Sequence, residues 1–169
     1  MALIKKFRIK KLKEQKSILK LQKISMFYNK RQILNSLDLN INQQEILGML
    51  GPNGVGKSTI FHIITGLRDP SFGKVLINGI DCTNIPIYER ATKFKLGYVP
   101  QYGGFIQDLT LYENLNLVGE IHIKEKDIRK SKIEKIISQF EFDALLKIKA
   151  KHLSGGQKKK LVISMALVN

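Results

Sequence analysis

Apolar and polar residues alternate along the first half of the chain in short stretches, which is typical of half-buried β-strands. The stretches lie at residues 21–26, 32–34 and 37–41. The last of them alternates strictly, in the order Leu-Asp-Leu-Asn-Ile. The pattern predicts a β-rich first half in which each strand turns one face toward a core.

Three further stretches also predict strands. Residues 45–50 form a short, nearly continuous apolar run, which is typical of a strand buried on both faces. Residues 74–77 lead into an Asn-Gly dipeptide, which favours a tight hairpin turn. Residues 96–99 form the third strand, which ends before Pro100.

The second half of the chain changes to helical periodicity. Thr110 and Glu113 form a capping box that opens one helix, and the isoleucines of the next helix share one face. Predicted helices span about residues 60–66, 86–95, 110–122 and 125–140. Strands followed by helices indicate an α/β protein with a helical second part.

The junction between the strand at 45–50 and the helix at 60–66 carries the phosphate-binding P-loop pattern G-x-x-x-x-G-K-[ST]. Its glycines let backbone N–H groups face an anion, and the helix start adds the positive end of its dipole. Lys57 can reach the β- and γ-phosphates, Ser58 can ligate Mg²⁺, and Thr59 is expected to contact the α-phosphate. The predicted nucleotide-binding residues are Gly51, Pro52, Asn53, Gly54, Val55, Gly56, Lys57, Ser58 and Thr59.

Composition restricts the class of protein. With 169 residues, 43% hydrophobic and 25% charged, the chain is typical of one soluble globular domain. No apolar run approaches the ~20 residues of a membrane span, and no secretory signal is recognisable. The single cysteine, Cys82, excludes an internal disulfide framework and fits a reducing compartment.

The net charge of +15 is concentrated at the N-terminus, where residues 1–23 hold nine Lys/Arg and one Glu. We predict a basic, weakly helical arm at residues 1–19. Three roles stay open for it: a solvated tail, a contact with anionic lipid headgroups, or nucleic-acid binding. Because no aromatic residues are interleaved with the lysines in an RNA-binding pattern, we expect no nucleic-acid partner.

A second motif, Leu-Ser-Gly-Gly-Gln at residues 153–157, opens another helix of apolar spacing, with Ser154 as its expected N-cap. Two glycines at a helix start expose backbone N–H groups and predict a second anion site. Together with the P-loop, this motif resembles the signature of the ABC-transporter ATPases. The resemblance covers about residues 20–169.

The resemblance implies a P-loop ATPase fold with a mixed sheet core, an antiparallel β subdomain and a helical subdomain. The β-rich core would span about residues 20–100, and the Q-loop, helical subdomain and signature helix about 101–169. Gln101 matches the Q-loop glutamine, which in the family touches Mg²⁺ and the attacking water. Tyr28 matches the aromatic residue that stacks on adenine.

The resemblance also implies a head-to-tail homodimer that binds ATP and Mg²⁺. ATP on the P-loop of one copy would be closed over by the signature motif of the other. Transmembrane permease subunits would hold the dimer on the cytoplasmic face of the inner membrane. Expected signature contacts are Ser154, Gly155, Gly156 and Gln157, and candidates for permease docking are Tyr102, Phe105, Leu109 and Tyr112.

Within the family, three sequence runs indicate a particular subgroup. They are residues 85–91, 96–101 and 109–115. They resemble the lipopolysaccharide-export ATPases and are also similar to the ATPases of branched-chain amino-acid importers. We therefore expect ATP binding and hydrolysis coupled to lipopolysaccharide export. The alternatives are amino-acid import and a truncated nucleotide-binding module without hydrolysis.

One departure from the family concerns catalysis. Its magnesium-binding Asp, general-base Glu and switch His follow the signature helix, and the printed sequence does not contain them. His62, His122 and His152 precede the signature and are expected to have surface or structural roles. We expect the 169 residues to be the fragment of a longer protein, and to bind ATP weakly and hydrolyse it negligibly.

Overall fold

The computed structural model describes residues 3–7 and 16–168, with side chains from residue 16 onward. The chain divides into two compact units, Met1–Phe94 and Lys95–Asn169. The first unit contains all the strands of the described residues, and the second contains helices and loops. The sequence placed this division near residue 100.

The strands of the first unit form two antiparallel sheets. They are β1 (Leu3–Phe7), β2 (Ser17–Tyr28), β3 (Arg31–Asn42), β4 (Ile46–Leu50), β5 (Phe72–Ile77) and β6 (Ile80–Asp81). Four of them pair in the order β3-β2-β5-β6, and β1 pairs with β4. The register of the smaller sheet runs from Leu3 opposite Leu50 to Phe7 opposite Ile46. The strand that leads into the P-loop is therefore held by the N-terminal strand.

Two helices complete the first unit, α1 (Lys57–Thr65) and α2 (Ile87–Phe94). The apolar face of α1, which includes Ile60 and Ile63, packs into one core with inward-facing residues of the four-stranded sheet, such as Ile24 and Val75. Burying these aliphatic side chains contributes about 1.5–3 kcal/mol each. The core therefore fixes α1 against the four-stranded sheet.

Three helices form the second unit around a core of their own: α3 (Leu111–His122), α4 (Lys126–Phe140) and α5 (Gly155–Val168). Two short 3-10 helices, Asp143–Leu145 and Ala150–His152, connect α4 to α5. The predicted capping box of α3 is confirmed: Thr110 N donates to Glu113 Oε2 at 2.7 Å, and Glu113 N donates to Thr110 Oγ1 at 3.2 Å. The backbone bond from Thr110 holds the pKa of the Glu113 carboxyl below its usual value.

Several sequence expectations about secondary structure are confirmed, and two are wrong. The Asn-Gly turn joins β5 to β6, with both turn residues in the left-handed region. Residues 96–99 are not a strand: Gly97 lies against helix α5, where an added Cβ would come within 2.9 Å of the Ala166 carbonyl oxygen. The prediction of a weakly helical arm is also wrong at residues 3–7, which form β1. The rest of residues 1–15 lies outside the described residues.

The α/β fold class, with its antiparallel β part and helical part, is confirmed. Within residues 3–7 and 16–168 every strand pair is antiparallel, so the expected parallel pairing of a mixed sheet is not seen there. Across the same residues, no helix combines the length and the apolar character that crossing a membrane requires.

Candidate functional site

The P-loop connects β4 to α1 without an intervening element, and Lys57 is the first residue of the helix. Gly54 and Gly56 have φ angles of 79° and 100°, in the left-handed region that glycine adopts without steric cost. Gly56 is also packed: a Cβ there would lie 2.9 Å from Leu34 Cδ2 and 3.2 Å from Ile33 Cγ2. At Gly54 a Cβ would meet no atom within 4 Å. Both glycines therefore adopt a left-handed backbone conformation, but only Gly56 is packed against neighbouring side chains.

This difference predicts unequal effects of two matched substitutions. Gly54→Ala should cost the backbone strain of a left-handed alanine alone, about 1–2 kcal/mol of the free energy of unfolding. Gly56→Ala should cost about 2–4 kcal/mol, because Ile33 and Leu34 must also move. Urea denaturation followed by circular dichroism measures both losses. Equal losses would contradict the packing role of Gly56.

The Lys57 side chain folds back over the loop. Its ammonium donates to the carbonyl oxygens of Gly51 at 2.7 Å and Pro52 at 2.8 Å. Its positive charge thus lies beside the loop whose glycines precede the helix start. A compact charge with three rotatable donors in this position can turn from carbonyl oxygens to phosphate oxygens.

The two hydroxyl residues that follow Lys57 lie in different environments. Ser58 is exposed, so its oxygen is accessible to a cation, whereas Thr59 is buried. Among the residues that the structure describes, no cluster of three acidic, histidine or cysteine side chains could hold a metal ion alone. The exposed Ser58 hydroxyl in the first turn of α1 fits Mg²⁺ that arrives with a nucleotide, since Mg²⁺ takes few protein ligands and completes its shell with phosphate oxygens and water.

The signature motif opens α5 with reciprocal hydrogen bonds. Gln157 N donates to Ser154 Oγ at 3.2 Å, and Ser154 N donates to Gln157 Oε1 at 2.8 Å. The N-cap role expected for Ser154 is confirmed, and Gln157 completes a capping box, a role that its S-x-x-Q spacing could have indicated. Ser154, Gly155 and Gly156 are exposed, and a Cβ at either glycine would meet no atom within 4 Å. This helix start is open to an approaching ligand.

The segment that contains Gln101 is also exposed. Gln101 Nε2 donates to the Tyr102 hydroxyl at 3.2 Å, and Tyr102 itself is 83% exposed. Of the other docking candidates, Tyr112 is exposed, and Phe105 and Leu109 are half-buried. Gln101 and the signature belong to the second compact unit, and the P-loop and Tyr28 belong to the first.

One residue near this segment was missed by sequence reasoning. Asn114 on α3 is fully buried, and its side chain shapes the loop before the helix. It accepts from Ile106 N at 2.8 Å and donates to the carbonyl oxygens of Ile106, Leu109 and Thr110 at 2.9–3.3 Å. A single amide thus fixes the backbone of residues 106–110. A polar residue on the apolar face of a predicted helix was the available signal.

Comparison with known proteins agrees with the motifs. A family described as ABC transporter matches residues 34–169. An uncharacterised ABC transporter ATP-binding protein of Rhizobium meliloti is 39% identical, with 83% of this chain and 52% of the relative covered. The lipopolysaccharide export system ATP-binding protein LptB of Haemophilus influenzae is 36% identical, with 89% of this chain and 63% of the relative covered.

Solved structures give the same result. A nucleotide-free ATP-binding cassette from an ABC transporter superposes with a TM-score of 0.77 at 28% identity, covering 90% of this chain and 65% of that one. The dimeric bacterial ABC transporter cassette MJ0796 superposes with a TM-score of 0.75 at 27% identity, covering 90% and 70%. The chain spans about half to two thirds of the length of the curated relatives named above. From its P-loop, its signature motif, its fold and these similarities, the chain belongs to the ATP-binding proteins of ABC transporters.

Proposed function

We propose that this protein binds ATP as its Mg²⁺ complex and uses it to power lipopolysaccharide export. The observation that carries nucleotide binding is the P-loop: two left-handed glycines, then Lys57 as the first residue of a helix. Backbone N–H groups at a helix start and a lysine ammonium together complement a polyphosphate. A direct test is displacement of a fluorescent ATP analogue by ATP, ADP and pyrophosphate. Failure of all three to compete would exclude this use of the P-loop.

Ser58 and Gln101 are the proposed ligands of Mg²⁺. Ser58 would supply one oxygen ligand at the helix start, and Gln101 would supply a side-chain oxygen when the nucleotide is enclosed. When bound, the ion neutralises phosphate charge in phosphoryl transfer. Lys57 and Gln101 are the proposed catalytic residues of this chain.

Tyr28 is proposed to stack on the adenine ring. It ends β2, pairs with Arg31 across a tight turn and is 39% exposed. Because base–aromatic stacking contributes about 1–3 kcal/mol, Tyr28→Ala should weaken ATP binding about tenfold. Tyr28→Phe retains the ring and should bind ATP normally. Isothermal titration with ATP and with pyrophosphate, whose affinity should not change, distinguishes loss of stacking from damage to the P-loop.

We further propose that two copies pair head to tail around ATP. The open helix start offers the N–H groups of Gly155 and Gly156 without a side chain in the way. The solved cassette MJ0796 is described as dimeric, which supports pairing in this protein. Donors from both copies would make pairing depend on the γ-phosphate.

Lipopolysaccharide is the proposed cargo because relatives from Haemophilus influenzae and Escherichia coli are named lipopolysaccharide export proteins. The substrate would be chosen by permease subunits, with this protein on the cytoplasmic face of the inner membrane, held there through them. The test is to purify the full-length protein from membranes and identify what accompanies it. We expect permeases and lipopolysaccharide to copurify with it. Copurification of a permease for branched-chain amino acids would instead support a role in amino-acid import.

A further inference from the structure

Arg90 on α2 is completely buried, with an exposed fraction of 0%. Its guanidinium donates to four backbone carbonyl oxygens. Nη1 lies 2.7 Å from the oxygen of Ile63 and 2.9 Å from that of Ile64. Nε lies 2.6 Å from the oxygen of Ile85, and Nη2 lies 2.8 Å from that of Thr83. One side chain therefore joins α1 to the segment before α2.

The two carbonyls of Ile63 and Ile64 belong to the last turn of α1, where carbonyl oxygens have no partner within the helix. A buried cation there satisfies them and lies at the negative end of the helix dipole. Burying an arginine is costly unless its donors are used, and here at least four of five N–H groups have an acceptor. Burial lowers the pKa of Arg90 from its usual value, but a guanidinium stays charged at neutral pH.

Gly66, directly after α1, provides the space for this contact. Its φ of 80° lies in the left-handed region, and its N–H donates to the Ile63 carbonyl at 3.3 Å. A Cβ at Gly66 would lie 2.8 Å from both Arg90 Nε and the Ile85 carbonyl oxygen. The end of α1 is thus fixed by a helix cap on the chain itself and by the guanidinium.

We infer that Arg90 is a positioning residue for nucleotide binding, an inference that rests on the proposed function. α1 has nine residues, so the whole helix is only about 13 Å long. A short α-helix moves as a rigid element, and a fixed last turn therefore also fixes the first turn. Lys57 and Ser58 lie in that first turn, where the phosphates are expected. Arg90 acts on them through the helix and touches no nucleotide.

The test compares Arg90→Met and Arg90→Lys with Ile133→Ala, a truncation in the separate core of the second unit that should lower stability without loosening the end of α1. Affinities for ATP, ADP and trinitrophenyl-adenosine are measured at a temperature where circular dichroism shows every variant folded. Arg90→Met should weaken ATP and ADP binding about tenfold, and Arg90→Lys about threefold because one ammonium cannot span four carbonyls. Trinitrophenyl-adenosine has no phosphate, so its affinity should not change.

Hydrogen exchange adds a readout that lost stability alone would not move. The amide of Ile60, which donates to the Gly56 carbonyl at 3.0 Å, should exchange faster in the Arg90 variants than in Ile133→Ala at matched melting temperature. If Arg90→Met does not fold, Arg90→Lys and Gly66→Ala disturb the same contact more mildly, and both should weaken ATP binding. Unchanged ATP affinity in a folded Arg90→Lys, with binding still dependent on Lys57, overturns this inference alone. ATP binding that is independent of Lys57 overturns the proposed function.

Discussion

ATP affinity is expected to fall about 100-fold when Lys57 is replaced by alanine, since a charged hydrogen bond contributes about 1.5–3 kcal/mol. Lys57 holds its ammonium against the Gly51 and Pro52 carbonyls, within the loop itself. The alanine variant keeps the helix start and loses the cation that would meet the β- and γ-phosphates. Because alanine is also the best helix former, the loss should arise without unfolding α1.

The matched control is Lys135→Ala, which removes the same charge from the exposed surface of α4. Titration of both variants with a fluorescent ATP analogue, at the same ionic strength, separates the site from the overall charge of +15. Lys135→Ala should change ATP affinity less than twofold, because water and salt screen an exposed charge. Similar affinities for the two variants would refute a special role for Lys57.

Ser154→Asp is expected to abolish ATP-driven pairing while leaving the protein folded. Aspartate is as good an N-cap as serine, so the start of α5 should remain intact. In the proposed dimer its carboxylate would face the γ-phosphate of the nucleotide on the other copy, and like charges at an interface cost several kcal/mol. The resulting dimer affinity should fall by about 100-fold or more.

Sedimentation velocity with a non-hydrolysable ATP analogue measures the pairing, and thermal unfolding checks the fold. Ser154→Thr is the control, since it keeps a capping hydroxyl without adding charge. ATP binding to a single copy should be the same in all three proteins, because the P-loop lies in the other compact unit. Pairing of the aspartate variant at the wild-type level would exclude a γ-phosphate contact at Ser154.

The parts of the site that could be predicted from the sequence depend on local rules. The P-loop needs a strand, glycines, a lysine and a helix in immediate succession, and the structure has β4 and α1 in those places. The caps at Thr110 and Ser154 each depend on a partner three residues away. Such patterns can be read directly, because the interacting groups are neighbours in sequence.

The features that sequence reasoning missed depend on distant partners. Residues 96–99 read locally as a strand but pair with no other strand among the described residues, and Gly97 lies against α5 instead. The pairing of β1 with β4 joins segments separated by more than thirty residues, which periodicity does not report. Arg90 appears as one more surface cation on a short helix until its carbonyl partners, 26 and 27 residues earlier, are known.

The close approach of Gly66 and Arg90 also restricts which substitutions the two positions can tolerate during evolution. A methyl group at position 66 and the guanidinium of Arg90 would compete for the same space, because a Cβ at position 66 would lie 2.8 Å from Arg90 Nε. Substitutions at the two positions should therefore be epistatic, with the double variant less impaired than the sum of the singles. Lineages that acquire a bulkier residue at 66 are expected to replace the arginine as well.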